Sequence, residues 1–366
     1  KEALRLAARG RGMTHPNPMV GAVVVRDGKV LGKGYHKGPG KPHAEVVALS
    51  EAGDRAGGSD LFVSLEPCNH QGRTPPCCDA ILEAGVRRVV MADRDPNPSV
   101  AGGGFERLQG AGIVAECGLL REEARGLNAA YRKLVVEGRP LIHIKVAATA
   151  DARVAARGGA SRWITGDEAR KAAHRMRRES DAIMVGRGTV AADDPELTVR
   201  MVRLRGARPP LRVAVDSRLS MSLESRLSQG GKPGVIVATT AFRDEKKVDV
   251  LRERGVEVLE LPDENGRVDL HSLLSKMAER GIASIMVEGG PTLVASLIEK
   301  GLADSLSLFL AAEVFGDSEA RSWIEGRKVE DPKEGIPLRW KRIRRVGKDL
   351  LLEADILNGE GRCLQG

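Results

Sequence analysis

Along the first 117 residues, short apolar runs of strand character alternate with runs of helical period. Residues 21–36, GAVVVRDGKVLGKGYH, read as a hairpin with Asp27-Gly28 at the turn, a dipeptide that tolerates the left-handed backbone a two-residue turn requires. A helix over 43–53, a strand over 61–65, a helix over 77–84, a strand over 87–92, a helix over 104–110 and a strand over 113–117 follow. That order is a three-layer α/β pattern. LREEARGLNAAYRKLVVEGRP then reads as a single helix ending at Gly138, and LIHIKVAAT opens a new strand, so a boundary is placed at about residue 140.

The second half alternates in the same way. Strands are expected at LIHIKVA, AIMVGRG, LRVAVDS, GVIVATT, VEVLEL, ASIMVEGG and SLSLFLAA, and helices at 167–179, 244–254, 269–280 and 292–300. Such alternation favours a largely parallel sheet that binds ligands at its strand C-terminal ends. Glu288-Gly289-Gly290-Pro291-Thr292 ends a strand and opens a helix, where bare backbone amides could hold a dinucleotide phosphate. It is not GxGxxG, so a standard Rossmann site is unsupported, and Gly-Gly before a helix is equally often a plain turn. Thr165 and Glu168 have capping-box spacing, which makes Thr165 structural, while His174 and Arg177 share a face of the helix that follows. Gly186 to Arg200 reads as a long polar loop after a buried strand.

At 366 residues the chain has room for two or three domains. It has no long apolar run and no signal-peptide core, and it reads as soluble and cytoplasmic, without a membrane partner. It does not begin with Met, which suggests that residues preceding Lys1 are missing. Five cysteines, three of them clustered, form no disulfide framework. A formal charge of +8 admits a nucleic acid or an anionic small molecule. The basic clusters at Arg175–Arg178, Arg200–Arg208 and Arg339–Arg345 are scattered and almost bare of aromatic neighbours for base stacking, so a phosphate-bearing metabolite is the more economical partner than nucleic acid. Most of these arginines are expected on solvated faces of helices and loops. The tail from residue 358 to 366 reads as disordered.

The chemistry concentrates in His43-Ala44-Glu45, Pro67-Cys68 and Cys77. Three deprotonatable ligands, His43, Cys68 and Cys77, would hold zinc and leave a fourth position for water, whose protons Glu45 could shuttle. His43 and Glu45 fall at a helix start, and Cys77 at a second, where its thiol pKa would be lowered. Nucleobase deaminases mostly carry PCxxC, and the NHQGRTPP insertion before Cys77 departs from it. Core packing is the bland reading of such residues, and a closed structural zinc site with His70 as fourth ligand is a stronger rival. A closed site would not need Glu45, and His70 reads better as facing substrate. Cys78 reads as packing.

HPNPMVGAVVV, HAEVVAL, SLEPCNHQGRTPPC and DPNPSVAGGG in the first half, with SRWIT, HRMR, GTVAADDPELTVR, VDS and VEGGPT in the second, resemble the bifunctional deaminase/reductase of riboflavin biosynthesis. The resemblance runs from near Glu2 to about Gly316, and the long loop before Cys77 is part of it. It implies a cytidine-deaminase-like domain over 1–139 and a dihydrofolate-reductase-like domain over 140–357, both α/β. It implies a zinc-dependent deaminase acting on 2,5-diamino-6-ribosylamino-4(3H)-pyrimidinone 5′-phosphate, with Glu45 as proton carrier. A reductase would then use NADPH to convert the ribosyl group to ribityl. Ser161, Arg177, Leu197, Arg200 and Glu288 resemble substrate contacts, and Ala147, Trp163, Thr189, Asp193, Ser217 and Gly290 resemble the NADPH site. Arg177 and Arg200 suit a 5′-phosphate because a guanidinium donates two parallel hydrogen bonds. Family members often dimerise, which makes a homodimer the expectation. Two departures stand out. Thr149-Ala150-Asp151-Ala152 replaces the usual Ser-Leu-Asp-Gly, so that loop is expected to shift, and SLSLFLAAEVFG lacks the usual proline.

Two other functions are weighed against this one. A nucleic-acid-editing deaminase would bind RNA with steep salt dependence, and a zinc-stabilised scaffold would be indifferent to Glu45→Gln.

Overall fold

Asp27 and Gly28 take left-handed backbone, with φ of 50° and 72°, and the chain reverses there between strands β1 (Gly21–Arg26) and β2 (Lys29–Tyr35). The computed structural model describes residues 1–72, 74–97 and 103–357; the 358–366 tail and part of DPNPSVAGGG lie outside the described residues. The chain divides into two compact units, Lys1–Arg139 and Pro140–Gly366.

In the first unit, β3 (Asp60–Val63), β4 (Arg88–Met91) and β5 (Val114–Cys117) complete a five-stranded sheet of order β2-β1-β3-β4-β5. β1 is antiparallel to both neighbours, and β3, β4 and β5 run parallel. Helix α1 (Glu2–Ala7) covers one face, where it packs on Val23. Ala22 and Val24, one position away and so on the opposite face, join the core under α2 (Ala44–Ala52), α3 (Cys77–Glu83) and α4 (Gly103–Gly110). Gly32 and Gly34 set α2 directly on β2: a Cβ on either would stand 2.1 Å from a carbonyl oxygen of α2, Ala48 or Ala44. The helix expected over residues 120–138 is two, α5 (Arg121–Leu127) and α6 (Ala129–Glu137). The break falls at Asn128, whose amide side chain exchanges two hydrogen bonds of 2.8 and 2.9 Å with the backbone of Met19.

In the second unit the strands are β6 (Leu141–Ala148), β7 (Arg153–Ala155), β8 (Ala182–Gly186), β9 (Leu211–Val215), β10 (Val235–Thr239), β11 (Val256–Glu260), β12 (Asp263–Glu264), β13 (Arg267–Val268), β14 (Ser284–Glu288), β15 (Ser305–Leu310), β16 (Arg321–Ser322), β17 (Leu338–Val346) and β18 (Asp349–Ile356). The helices are α7 (Asp167–Glu179), α8 (Arg187–Asp193), α9 (Glu245–Glu253), α10 (Leu270–Glu279) and α11 (Pro291–Glu299). Nine strands form one sheet of order β11-β10-β9-β8-β14-β6-β15-β18-β17, parallel from β11 to β15 and antiparallel thereafter. β12–β13 and β7–β16 are small antiparallel pairs.

Three expectations are corrected here. The Thr165 capping box does not form, because the N-cap of α7 is Gly166, with no side-chain cap. The stretch 186–200 is not all loop, since its first turns are α8. The Arg339–Arg345 cluster lies on β17, an edge strand, and not on a helix or loop.

Candidate active sites

In the first unit, the extended backbone of His43, the N-cap of α2, follows Pro42 and turns the chain into the helix that buries Glu45 in its first turn. Pro76 caps α3, whose first residue is Cys77, and the Cys77 backbone N–H donates to Cys68 Sγ at 3.3 Å. His43 Nδ1 stands 2.9 Å from Cys77 Sγ and 3.5 Å from Cys68 Sγ, and the two sulfurs are 3.4 Å apart. Thr74 Oγ1 lies 3.3 Å from His43 Nε2 and holds the far side of the ring. His36 packs edge-on against it, with ring centroids 5.3 Å apart, and is itself anchored by Asn17 and the Pro42 carbonyl. His36, Asn17 and Thr74 were not singled out from sequence, although Asn17 and Thr74 lie inside the quoted motifs.

The donor set fits zinc. His43, Cys68 and Cys77 bring three ligand atoms within 4.8 Å of one another, and His70, which is exposed, is not part of the cluster. The hydrogen bond shared with Cys77 drives the Cys68 thiol well below the ordinary range, with help from His43, whereas the same pairing and burial push Cys77 up. The expected lowering at Cys77 is therefore corrected: the helix-start N–H serves the sulfur of Cys68. Two sulfurs sharing one proton are a site that a divalent cation completes by displacing it. Glu45 is 3% exposed, and its Oε2 is buried without a hydrogen-bond partner among the described residues. Burial raises its carboxyl to about 7. Cys78 is fully buried in the core beside Ile81 and Leu108.

In the second unit a cavity of about 1510 Å³ opens along the C-terminal ends of β6, β8, β9 and β14. All eleven residues expected at the reductase site line it: Ala147, Ser161, Trp163, Arg177, Thr189, Asp193, Leu197, Arg200, Ser217, Glu288 and Gly290. Glu288, the last residue of β14, accepts from Arg177 Nη2 at 2.9 Å, from Arg177 Nε, and from Lys145 Nζ at 3.4 Å. Burial alone would raise its pKa, but the two cations hold it at about 2. Arg177 Nη1 donates to the Thr198 carbonyl at 2.9 Å, so only two of its five N–H donors stay uncommitted. Its expected place in a phosphate clamp is thereby narrowed, and Arg200, paired with Glu196 and half exposed, is the freer guanidinium. His174 Nδ1 accepts from the Arg200 backbone N–H at 3.1 Å, and burial with Arg177 nearby lowers its pKa to about 4.

Ser161 Oγ donates to Asp193 Oδ1 at 2.6 Å. Trp163 is 65% exposed, and the Arg170 guanidinium lies 4.1 Å from its ring centre. Leu197, with φ of 52°, is 2% exposed and belongs to the core beside Ile183 and Val185. Gly289 and Gly290 have φ of 84° and 86°, and α11 begins directly after them with Pro291. Lys145 was missed by sequence reasoning. Its signal was a lone cation between apolar residues in IHIKVA.

The loop at Ala152 is held by hydrogen bonds to Asp151. Ala152 takes φ of 64°, and Asp151 accepts from Thr149 Oγ1 at 2.6 Å and from the backbone N–H of Phe315 and Gly316 at 3.1 and 2.9 Å.

Residues 1–93 match the cytidine and deoxycytidylate deaminase zinc-binding region, and residues 140–352 match the RibD C-terminal domain. The riboflavin biosynthesis protein RibD of Aquifex aeolicus is 43% identical over 352 residues, which cover 96% of each chain. RibD of Acinetobacter baumannii, form 1, superposes with a TM-score of 0.88 at 34% identity, covering 98% of this chain and 97% of that one. A diaminohydroxyphosphoribosylaminopyrimidine deaminase/5-amino-6-(5-phosphoribosylamino)uracil reductase of Thermotoga maritima does so at 0.84 and 34%, covering 97% of each chain. With a zinc-ligand cluster in one unit and a nucleotide-sized cavity in the other, the chain belongs to the RibD family of bifunctional riboflavin-biosynthesis deaminase/reductases.

Proposed function

We propose that the chain carries out two successive steps on one metabolite, 2,5-diamino-6-ribosylamino-4(3H)-pyrimidinone 5′-phosphate. The first unit hydrolyses the ring 2-amino group, taking up water and releasing ammonia. The second reduces the ribosyl group of that product to ribityl, giving 5-amino-6-(5-phosphoribitylamino)uracil. His43, Cys68 and Cys77 would hold zinc, whose Lewis acidity makes water nucleophilic near neutral pH. Glu45 accepts the proton of the attacking water and returns it to the departing amine; a carboxyl whose pKa lies near the working pH can do both.

In the second unit NADPH would supply the hydride. Ala147, Trp163, Thr189, Asp193, Ser217 and the Gly290 backbone would line its site, with Ser161, Leu197 and Glu288 on the substrate. Arg177 holds Glu288 ionised and oriented, and Arg200 takes the 5′-phosphate with what Arg177 has left to donate. A homodimer in the cytoplasm is the proposed working form; among the described residues no helix is long and apolar enough to cross a membrane.

The observation that carries the deaminase assignment is the buried carboxyl of Glu45, with Oε2 unpartnered among the described residues, near the three ligands. Glu45→Gln keeps its shape and loses its proton transfer. We expect deamination to fall by roughly 10²–10⁴-fold with zinc content, measured by atomic emission, unchanged. Unchanged turnover would remove Glu45 from the chemistry.

A further inference from the structure

Several cations on the cavity wall in the second unit have acidic partners, whereas Arg162, Arg187 and Arg321 have none among the described residues. Arg177 and Lys145 share Glu288, Arg200 and Arg226 share Glu196, and Lys300 reaches both oxygens of Glu264 at 2.5 and 2.6 Å. Beyond β9 two further arginines stand on segments fastened to each other. Arg218 follows Ser217 just past β9, and Arg267 opens β13; both line the cavity, both are exposed, and neither has an acidic partner among the described residues. The Val268 backbone N–H donates to Ser217 Oγ at 3.0 Å, which fastens the two segments together one residue away from each arginine.

The carboxylates that could neutralise this pair are committed elsewhere. Asp216 is buried and accepts from Ser220 Oγ at 3.1 Å and from the Met221 backbone N–H at 2.7 Å. Asp263 accepts from the Gly266 backbone N–H at 3.0 Å, within its own hairpin turn, and Glu264, the cross-strand neighbour of Arg267, is held by Lys300. The cavity therefore ends in two unpaired guanidinium groups.

We propose that Arg218 and Arg267 recognise the 2′-phosphate of NADPH, the group that separates it from NADH. The proposal rests on the reading that this cavity holds the dinucleotide with its nicotinamide toward Glu288. β9 lies two strands from β14, roughly 10 Å across the sheet, so a dinucleotide passing the Gly289-Gly290 amides brings its adenosine end to Ser217. A carboxylate gripping a ribose 2′-hydroxyl selects NAD, whereas arginine there accommodates the 2′-phosphate. That phosphate carries nearly two negative charges at neutral pH, which two guanidinium groups match.

The test is equilibrium binding to the full chain, without turnover, of NADPH, NADH, 2′,5′-ADP and 5′-AMP. Arg218→Ala and Arg267→Ala should each weaken NADPH and 2′,5′-ADP by at least about tenfold and leave NADH and 5′-AMP within about twofold. Equal weakening of NADPH and NADH, or unchanged 2′,5′-ADP binding, would overturn the assignment, since the arginines would then only shape the pocket. Wild-type protein that binds neither NADPH nor 2′,5′-ADP would overturn both this proposal and the cofactor reading beneath it.

Discussion

Cys68 and Cys77 divide one site unequally, because the N–H that opens α3 donates to the sulfur of Cys68 and not to that of Cys77. Replacing Cys77 with Ser removes a thiolate ligand and keeps the backbone N–H that serves Cys68. Zinc content should fall toward zero and deamination with it, while NADPH binding to the second unit stays unchanged; measuring both on one preparation checks this, and loss of NADPH binding would contradict it. Ala152 stores a small local cost, since a left-handed alanine is disfavoured by about 1–2 kcal/mol. Ala152→Gly should stabilise the second unit by about 1 kcal/mol in urea unfolding. The cluster of His43, Cys68 and Cys77 was legible in the sequence because metal chemistry restricts which residues can serve, and at what spacing. Partnerships were not. Arg177 and Glu288 are 111 positions apart, and only the sheet brings them together. The alanine at 152 takes the left-handed backbone all the same, beside an Asp151 held by three hydrogen bonds that the sequence does not reveal.

At the scale of elements, the close seat of α2 on β2 places His43 and Glu45. Gly32→Ala would drive a Cβ to 2.1 Å from the Ala48 carbonyl, so α2 must move. We expect a loss of about 1–3 kcal/mol in stability together with weaker zinc retention, read by denaturant unfolding and by competition with a chelator. The β6–β15 pair carries a pH dependence of its own. His143 lies opposite Ser305, with Nδ1 2.8 Å from its hydroxyl, and burial with Lys341 nearby lowers its pKa to about 4. The unfolded chain, titrating near 6.5, binds this proton more readily. The contribution of neutral His143 is thus fully present above about pH 6.5 and is lost as pH falls toward 4. His143→Gln should flatten the stability profile across that window, and an unchanged slope would count against it. Elements with two-sided or period-2 burial were legible. β17 was not: LRWKRIRRV lies at a sheet edge and carries five basic residues, so it shows neither the apolar run of a central strand nor clean alternation. The break at Asn128 was hidden for a related reason, because helical periodicity continues across it and its cause is Met19, 109 positions away.

In the whole molecule a zinc-dependent hydrolysis and an NADPH-dependent reduction share one chain, with the first product as the second substrate. Each unit holds its own charged site within its own sheet, so each activity should survive damage to the other. The most direct measurement is mass spectrometry of the diaminopyrimidine ribosyl phosphate incubated with zinc-loaded protein, first without and then with NADPH. A mass change for exchange of an amino group for oxygen is expected without NADPH, and a further gain of two hydrogens only after NADPH is added. No deamination without NADPH, or reduction of the undeaminated compound, would contradict that order of steps.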